Sequence, residues 1–128
     1  MLSMTTYPHA YIAHAGARTE AELAVVEKTG AHALLPSVLI ALDAHFVHRA
    51  RGAEKKDGNP CNELRMLVAS LLAGSEVLLA DKAIKYDASK SVLGLAIGAS
   101  IRLDIGGSRR LAKAFLADVS AKYGNHGA

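Results

Sequence analysis

The chain has no tryptophan, a single cysteine, and aromatic residues at only 5% of its 128 positions. One cysteine excludes an internal disulfide and any multi-cysteine zinc site. Cys61 falls on the apolar stripe of a predicted helix, where a thiol serves as a small core residue. With 51% hydrophobic residues and so few rings, the core has to be built largely from Ala, Leu, Val and Ile. Long apolar runs are missing as well: none approaches the ~20 residues of a membrane span. The N-terminus lacks the basic region, apolar stretch and cleavage pattern of a secretory signal, so a cytoplasmic protein with no membrane partner is expected. Internal repeats and low-complexity segments are absent. Charge of one sign is not in large excess either, since 15 Lys and Arg face 12 Asp and Glu for a formal charge of +3. A nucleic-acid binder concentrates positive charge on one face, whereas the basic clusters here, Arg49 with Arg51, Lys55-Lys56 and Arg109-Arg110, are short.

The best-punctuated part of the chain is 58–123. Asn59 can accept a hydrogen bond from a free N–H at a helix start, Pro60 suits the first helical position, and Glu63 favours the positive end of the helix dipole. Cys61, Leu64, Leu67, Val68, Leu71 and Leu72 then recur at three- and four-residue steps, with Met66 off the stripe and Gly74 as the stop. Beyond Gly74 the period changes. Ile84 and Tyr86 alternate about Lys85, and Asp87-Ala88-Ser89-Lys90 suits a type I turn. Leu93, Leu95 and Ile97 alternate with smaller residues, Gly98 permits a reversal, and Ile101 and Leu103 share a face. These segments predict a three-stranded antiparallel meander, with Gly94 marking a bulge or a close backbone approach. A final helix is predicted from Asp104 or Ser108 to Tyr123, buried along Leu111, Phe115, Leu116 and Val119 and stopped by Gly124.

The N-terminal half is less regular. Residues 1–17 show no sustained period, Thr19-Glu20-Ala21-Glu22 forms a capping box for a helix over 20–29, and Gly30 follows it. A second helix is predicted over 34–51, with Leu35, Val38, Leu39, Leu42 and Phe46 on one side and Pro36 in its first turn. The charged stretch 52–58 reads as an exposed loop. A chain of this size buries on the order of two-thirds of its unfolded surface. The expected fold is therefore a single α+β domain over 1–128: N-terminal helices, then helix, three-stranded antiparallel meander and C-terminal helix, with 1–17 and 125–128 irregular. The apolar share leaves more surface than one small core hides unless alanine merely inflates the count, and it points to a homodimer with Leu35, Leu39, Leu42 and Phe46, or the open face of the meander, as its candidate surface.

Candidate chemistry is sparse. His45 and His48 lie three apart on a predicted helix, with His9, His14 or His32 as a third donor. No Glu-x-x-His or His-Glu-x-x-His pattern accompanies them, and a solvated helix end accounts for the pair, so no metal and no cofactor is expected. The polar groups to watch are Asn62, Glu63, Arg65, Asp81 and Lys82, as a low-specificity binding set. Glu63, Asp81 and Lys82 could perform acid–base work if a strand end met the helix start, but an ion-pair network at that junction accounts for the same residues. No nucleophile elbow or Gly-rich phosphate loop is present. The helix–hairpin order also invites a winged-helix reading, with 60–73 as recognition helix and 91–103 as wing, although Asn62, Glu63, Arg65 and Ser70 make a thin, partly acidic reading face.

Gly58-Asn59-Pro60-x-Asn62-Glu63-x-Arg65, Ala80-Asp81-Lys82-x-Ile84-Lys85-Tyr86, Ser91-Val92-Leu93 and Ile101-Arg102-Leu103 together resemble a pattern in short bacterial proteins of no assigned activity. The resemblance covers about half the chain and implies a small bacterial accessory protein without transferring a catalytic residue. Two functional expectations follow. One is a non-enzymatic homodimer that binds a small molecule or a protein partner. The alternative is a DNA-binding regulator whose salt-sensitive binding depends on Arg49, Arg51, Lys55 and Lys56.

Overall fold

In the computed structural model, which describes residues 4–125, four helices close around one core. They are α1 (His9–Thr29), α2 (Leu35–Ala44), α3 (Pro60–Leu72) and α4 (Ile105–Tyr123). Helix α1 lies between α2 and α4, and α3 packs on α2 and α4 from the other side. The only paired strands among the described residues are two residues each: β1 (Tyr7–Pro8) runs parallel to β2 (Gly124–Asn125), tying the two ends of the chain together. Of the stretches expected to be irregular, 1–3 and 126–128 lie outside the described residues. Among the described residues no helix is long and apolar enough to cross a membrane.

The capping chemistry of α3 and α4 is as the sequence predicts. Asn59 accepts the Asn62 N–H at 3.0 Å, with Pro60 opening α3. Asp104 accepts the Gly107 N–H at 2.6 Å and starts α4, which ends at Tyr123 before Gly124. Gly30 closes α1 in the left-handed region, its N–H reaching the Val26 carbonyl.

The start of α1 differs from expectation. The helix begins at His9, and Thr19 lies buried in its middle rather than capping it. Ile12 and Ala15 carry the buried stripe of Thr19, Leu23 and Val26 back by a full two turns. That signal is hidden in the sequence because alanines and Gly16 fill the interval. A Cβ at Gly16 would lie 3.3 Å from Leu116, so the glycine lets α4 approach. Helix α2 is shorter than predicted, ending at Ala44. Beyond it the backbone is drawn out of the helix by the N-terminal segment: the Met4 N–H bonds the His48 carbonyl at 2.7 Å, and the Ala50 N–H bonds the Met4 carbonyl at 2.9 Å.

The largest correction concerns 73–104. The α+β expectation fails, because this stretch holds no meander and the fold is predominantly helical. It is an irregular wrap laid over the outer face of α3. One isolated antiparallel bridge joins Val77 to Ser100, and a second small core gathers Met66, Leu78 and Ile84. The backbone donors that a middle strand would offer are taken elsewhere: Val92 and Leu93 both donate to the Glu63 carboxylate, at 2.8 and 3.0 Å. Gly94 and Gly98 sit at φ 69° and 86°, which breaks extended geometry on both sides of Ile97. Met66, off the main stripe of α3, anchors this second core.

Candidate functional site

The five polar residues singled out from the sequence do not converge on one pocket. Asn62 is buried and its side-chain amide donates to the Asp57 carbonyl at 2.8 Å and the Lys55 carbonyl at 3.4 Å, clamping the 54–59 loop. Glu63, also buried, holds the Val92 and Leu93 amides. Arg65 reaches Glu54 at 2.8 Å. Asp81 pairs with Arg51 at 3.1 Å and accepts the Ala83 N–H at 2.8 Å, and these contacts hold its carboxyl below the usual range, the Ala83 bond most of all. Lys82 is exposed. The set fastens loops to α3.

The centre of the polar network is a residue that sequence reading placed in an exposed loop. Glu54, at the end of a 3₁₀ turn (Arg51–Glu54), is fully buried. One oxygen accepts from Arg65, and the other accepts the Tyr123 hydroxyl at 2.6 Å. The Arg49 Nε lies 2.7 Å from that second oxygen, an ion-pair contact at an angle too poor for an aligned hydrogen bond. Arg49 is itself buried, bonds Asp43 at 2.9 Å and the Cys61 carbonyl at 3.2 Å, and lies 5.1 Å over the Phe115 ring. Burial works against its charge, but Asp43 and Glu54 outweigh it and hold the guanidinium above its ordinary value. Burial, and then the neighbouring Glu54 carboxylate, push the Tyr123 phenol up. Burial also raises Cys61 far above an ordinary thiol. Nothing in the local sequence distinguishes Glu54 from its exposed neighbours; only the long-range meeting with Arg49, Arg65 and Tyr123 buries it.

Directly after Glu54, Lys55 has φ 61° and ψ −163°, and it is the one non-glycine residue at positive φ among those described. Such a conformation is close to glycine-only and costs of order 1–3 kcal/mol. The loop is held in it by Asn59, whose side-chain amide donates to the Glu54 carbonyl and to Asp57, and by Asn62.

The candidate dimer surface of Leu35, Leu39, Leu42 and Phe46 is not a surface. All four are fully buried in the main core. An apolar helix stripe records that a partner exists; here the partner is the rest of the same chain. The exposed apolar face lies on the other side, in a trough of about 760 Å³ between α1 and α2. Ala17, Ala21 and Val25 line it along α1, Val38 and Ala41 along α2, and Leu34 in the 3₁₀ turn just before α2. Val25 is 58% exposed and Leu34 52%. Arg18 and Glu22, 3.6 Å apart, line it as well, with His14 and Ser37, and the trough is open to solvent. The four-residue spacing of Ala17, Ala21 and Val25 was the available sequence signal, masked by the stronger stripe on the opposite side of α1.

His45 and His48 line a smaller cavity with Tyr7 and Tyr11, in the turn after α2 rather than on a helix. Among the described residues no group of three or more His, Cys, Asp or Glu is placed to hold a metal ion. Compared with models of protein families, with curated proteins and with solved structures, the chain matches none.

Proposed function

We propose that the protein is a non-enzymatic binding module that works as a homodimer, two copies pairing across the trough between α1 and α2. The observation that carries this reading is the bare apolar face with Val25 and Leu34 each more than half exposed. The wrap of 73–104 covers α3, and no described segment covers the trough between α1 and α2. Small side chains at Ala17, Ala21 and Ala41 let a second pair of helices come close.

The charged pair in the lining favours a second copy over an unrelated partner. Arg18 and Glu22 lie one turn apart on α1, so a two-fold axis crossing α1 between them sets each Arg18 against the partner's Glu22, the self-complementarity an isologous contact requires. A non-enzymatic role is supported by the commitments of Glu63, Asp81 and Glu54 to backbone amides and arginines. The test is a charge swap read by sedimentation equilibrium. Arg18→Glu and Glu22→Arg each weaken the dimer, and the double variant restores it. Single variants that leave the dimer unchanged, or a double variant no better than either, would remove this pairing.

A further inference from the structure

The loop that holds Lys55 in its strained conformation also carries a cluster of exposed positive charge. The Lys85 N–H bonds the Lys56 carbonyl at 2.6 Å, Asp57 bridges to Lys85, and Arg51 pairs with Asp81 at 3.1 Å, so 51–57 and 81–85 form one surface. Its cations are Arg51, Lys55, Lys56, Lys82 and Lys85, all exposed. Its surface carboxylates are Asp57, Asp81 and, where Tyr86 and Asp87 run beside Gly58, Asp87; Glu54 is buried against Arg49 and Arg65. Five cations stand against three carboxylates, and one of the cations, Arg51, is paired with Asp81, so Lys55, Lys56, Lys82 and Lys85 are the charges the face offers. The pairing of distant segments hides this concentration from a linear reading.

We propose that this face binds the phosphate backbone of nucleic acid, without reading base sequence. Charge spread along two adjoining loops fits a polymer of repeating phosphates better than a single small anion. The exposed residues of the two segments include no large apolar side chain that could enter a bilayer. Arg49 is not part of the face, since it is buried. The conformation of Lys55 supplies an independent argument. Glycine would adopt φ 61° without strain, and glycines stand nearby at 52 and 58, yet a lysine occupies the strained position. A cation held at that position by Asn59 and Asn62 has a fixed backbone from which to meet a phosphate. This proposal is independent of the dimer reading, since the face and the trough share no residue.

The experiment is fluorescence anisotropy of the full chain on duplex DNA of random sequence, with salt varied, alongside thermal unfolding of each variant. Binding should weaken with salt at a log–log slope of about −3 to −4, for roughly four phosphates met by the unpaired lysines. Lys55→Gly should raise Tm by about 2–5 °C yet weaken binding several-fold, a split that a purely structural lysine cannot produce. Lys56→Gln with Lys85→Gln should weaken binding further and reduce the slope by about two, whereas Lys113→Gln on α4 should leave both unchanged. Three results would overturn the proposal: no DNA binding at low salt, binding indifferent to the Lys55, Lys56 and Lys85 variants, or binding to phosphatidylserine vesicles with none to DNA.

Discussion

At the scale of single residues, the molecule turns on Glu54. A carboxylate with no exposure is tolerable because two guanidiniums and a phenol meet it, and the same contacts make Arg49 tolerable in the core. Breaking such a set from one side leaves a buried charge without its partner. Glu54→Gln is therefore expected to cost about 3–5 kcal/mol in urea unfolding; a loss below about 1 kcal/mol would mean that the network carries little of the fold. Tyr123→Phe removes one donor from the set and should cost about 1–2 kcal/mol. The phenols add a pH dependence. Tyr7 and Tyr123 are raised above the ordinary value of about 10, both chiefly by burial, so the unfolded chain loses these protons first. Their contribution is complete below about pH 10 and falls as pH rises past it. Cys61, raised in the same sense from a thiol's ordinary value of about 8.5, adds a loss that begins earlier, so stability should start to fall above about pH 8.5 and fall further above about pH 10, where Tyr123→Phe should make the drop shallower. Cys61, buried and raised, should react with a thiol reagent only at the rate of unfolding; fast labelling of the native protein would contradict its place in the core.

At the scale of elements, both ends of α3 and α4 and the C-terminal end of α1 were legible, while the start of α1, the end of α2 and the wrap were not. Asn59, Pro60, Asp104, Gly30 and Gly124 act through chemistry within four residues of themselves, and each marks the boundary its residue type implies. The alternation of Leu93, Leu95 and Ile97 carries no record that the nearest amides are claimed by Glu63, about thirty residues earlier. Strand pairing needs free donors, and here a side chain has taken them. Glu63 is consequently the residue on which the wrap depends. Replacing it with Ala leaves the Val92 and Leu93 amides unpaired and should cost about 2–3 kcal/mol. Hydrogen exchange should show the loss as fast exchange across 91–94 with α1 and α4 still protected. Loss of protection throughout the helices would instead make the wrap part of the global unfolding unit. The candidate polar set was legible in its residues and not in its role. Asn62, Glu63, Arg65 and Asp81 are all engaged, but in holding loops rather than in a shared pocket.

At the scale of the whole molecule, two faces contrast. One is wrapped by 73–104; the other, along α1 and α2, shows Val25 and Leu34 to solvent. Composition pointed to association but could not say which stripe faced outward. Leu39→Glu separates the two readings. With Leu39 fully buried, the substitution should unfold the chain rather than yield folded monomers. The trough is the surface at issue, and sedimentation velocity over a concentration series is the measurement that tests it most directly. The wild-type chain is predicted to sediment as a dimer that dissociates on dilution. Val25→Glu with Leu34→Glu is predicted to sediment as a monomer with unchanged helical circular dichroism. A wild-type chain that stays monomeric throughout, or a folded double variant that remains dimeric, would contradict the account.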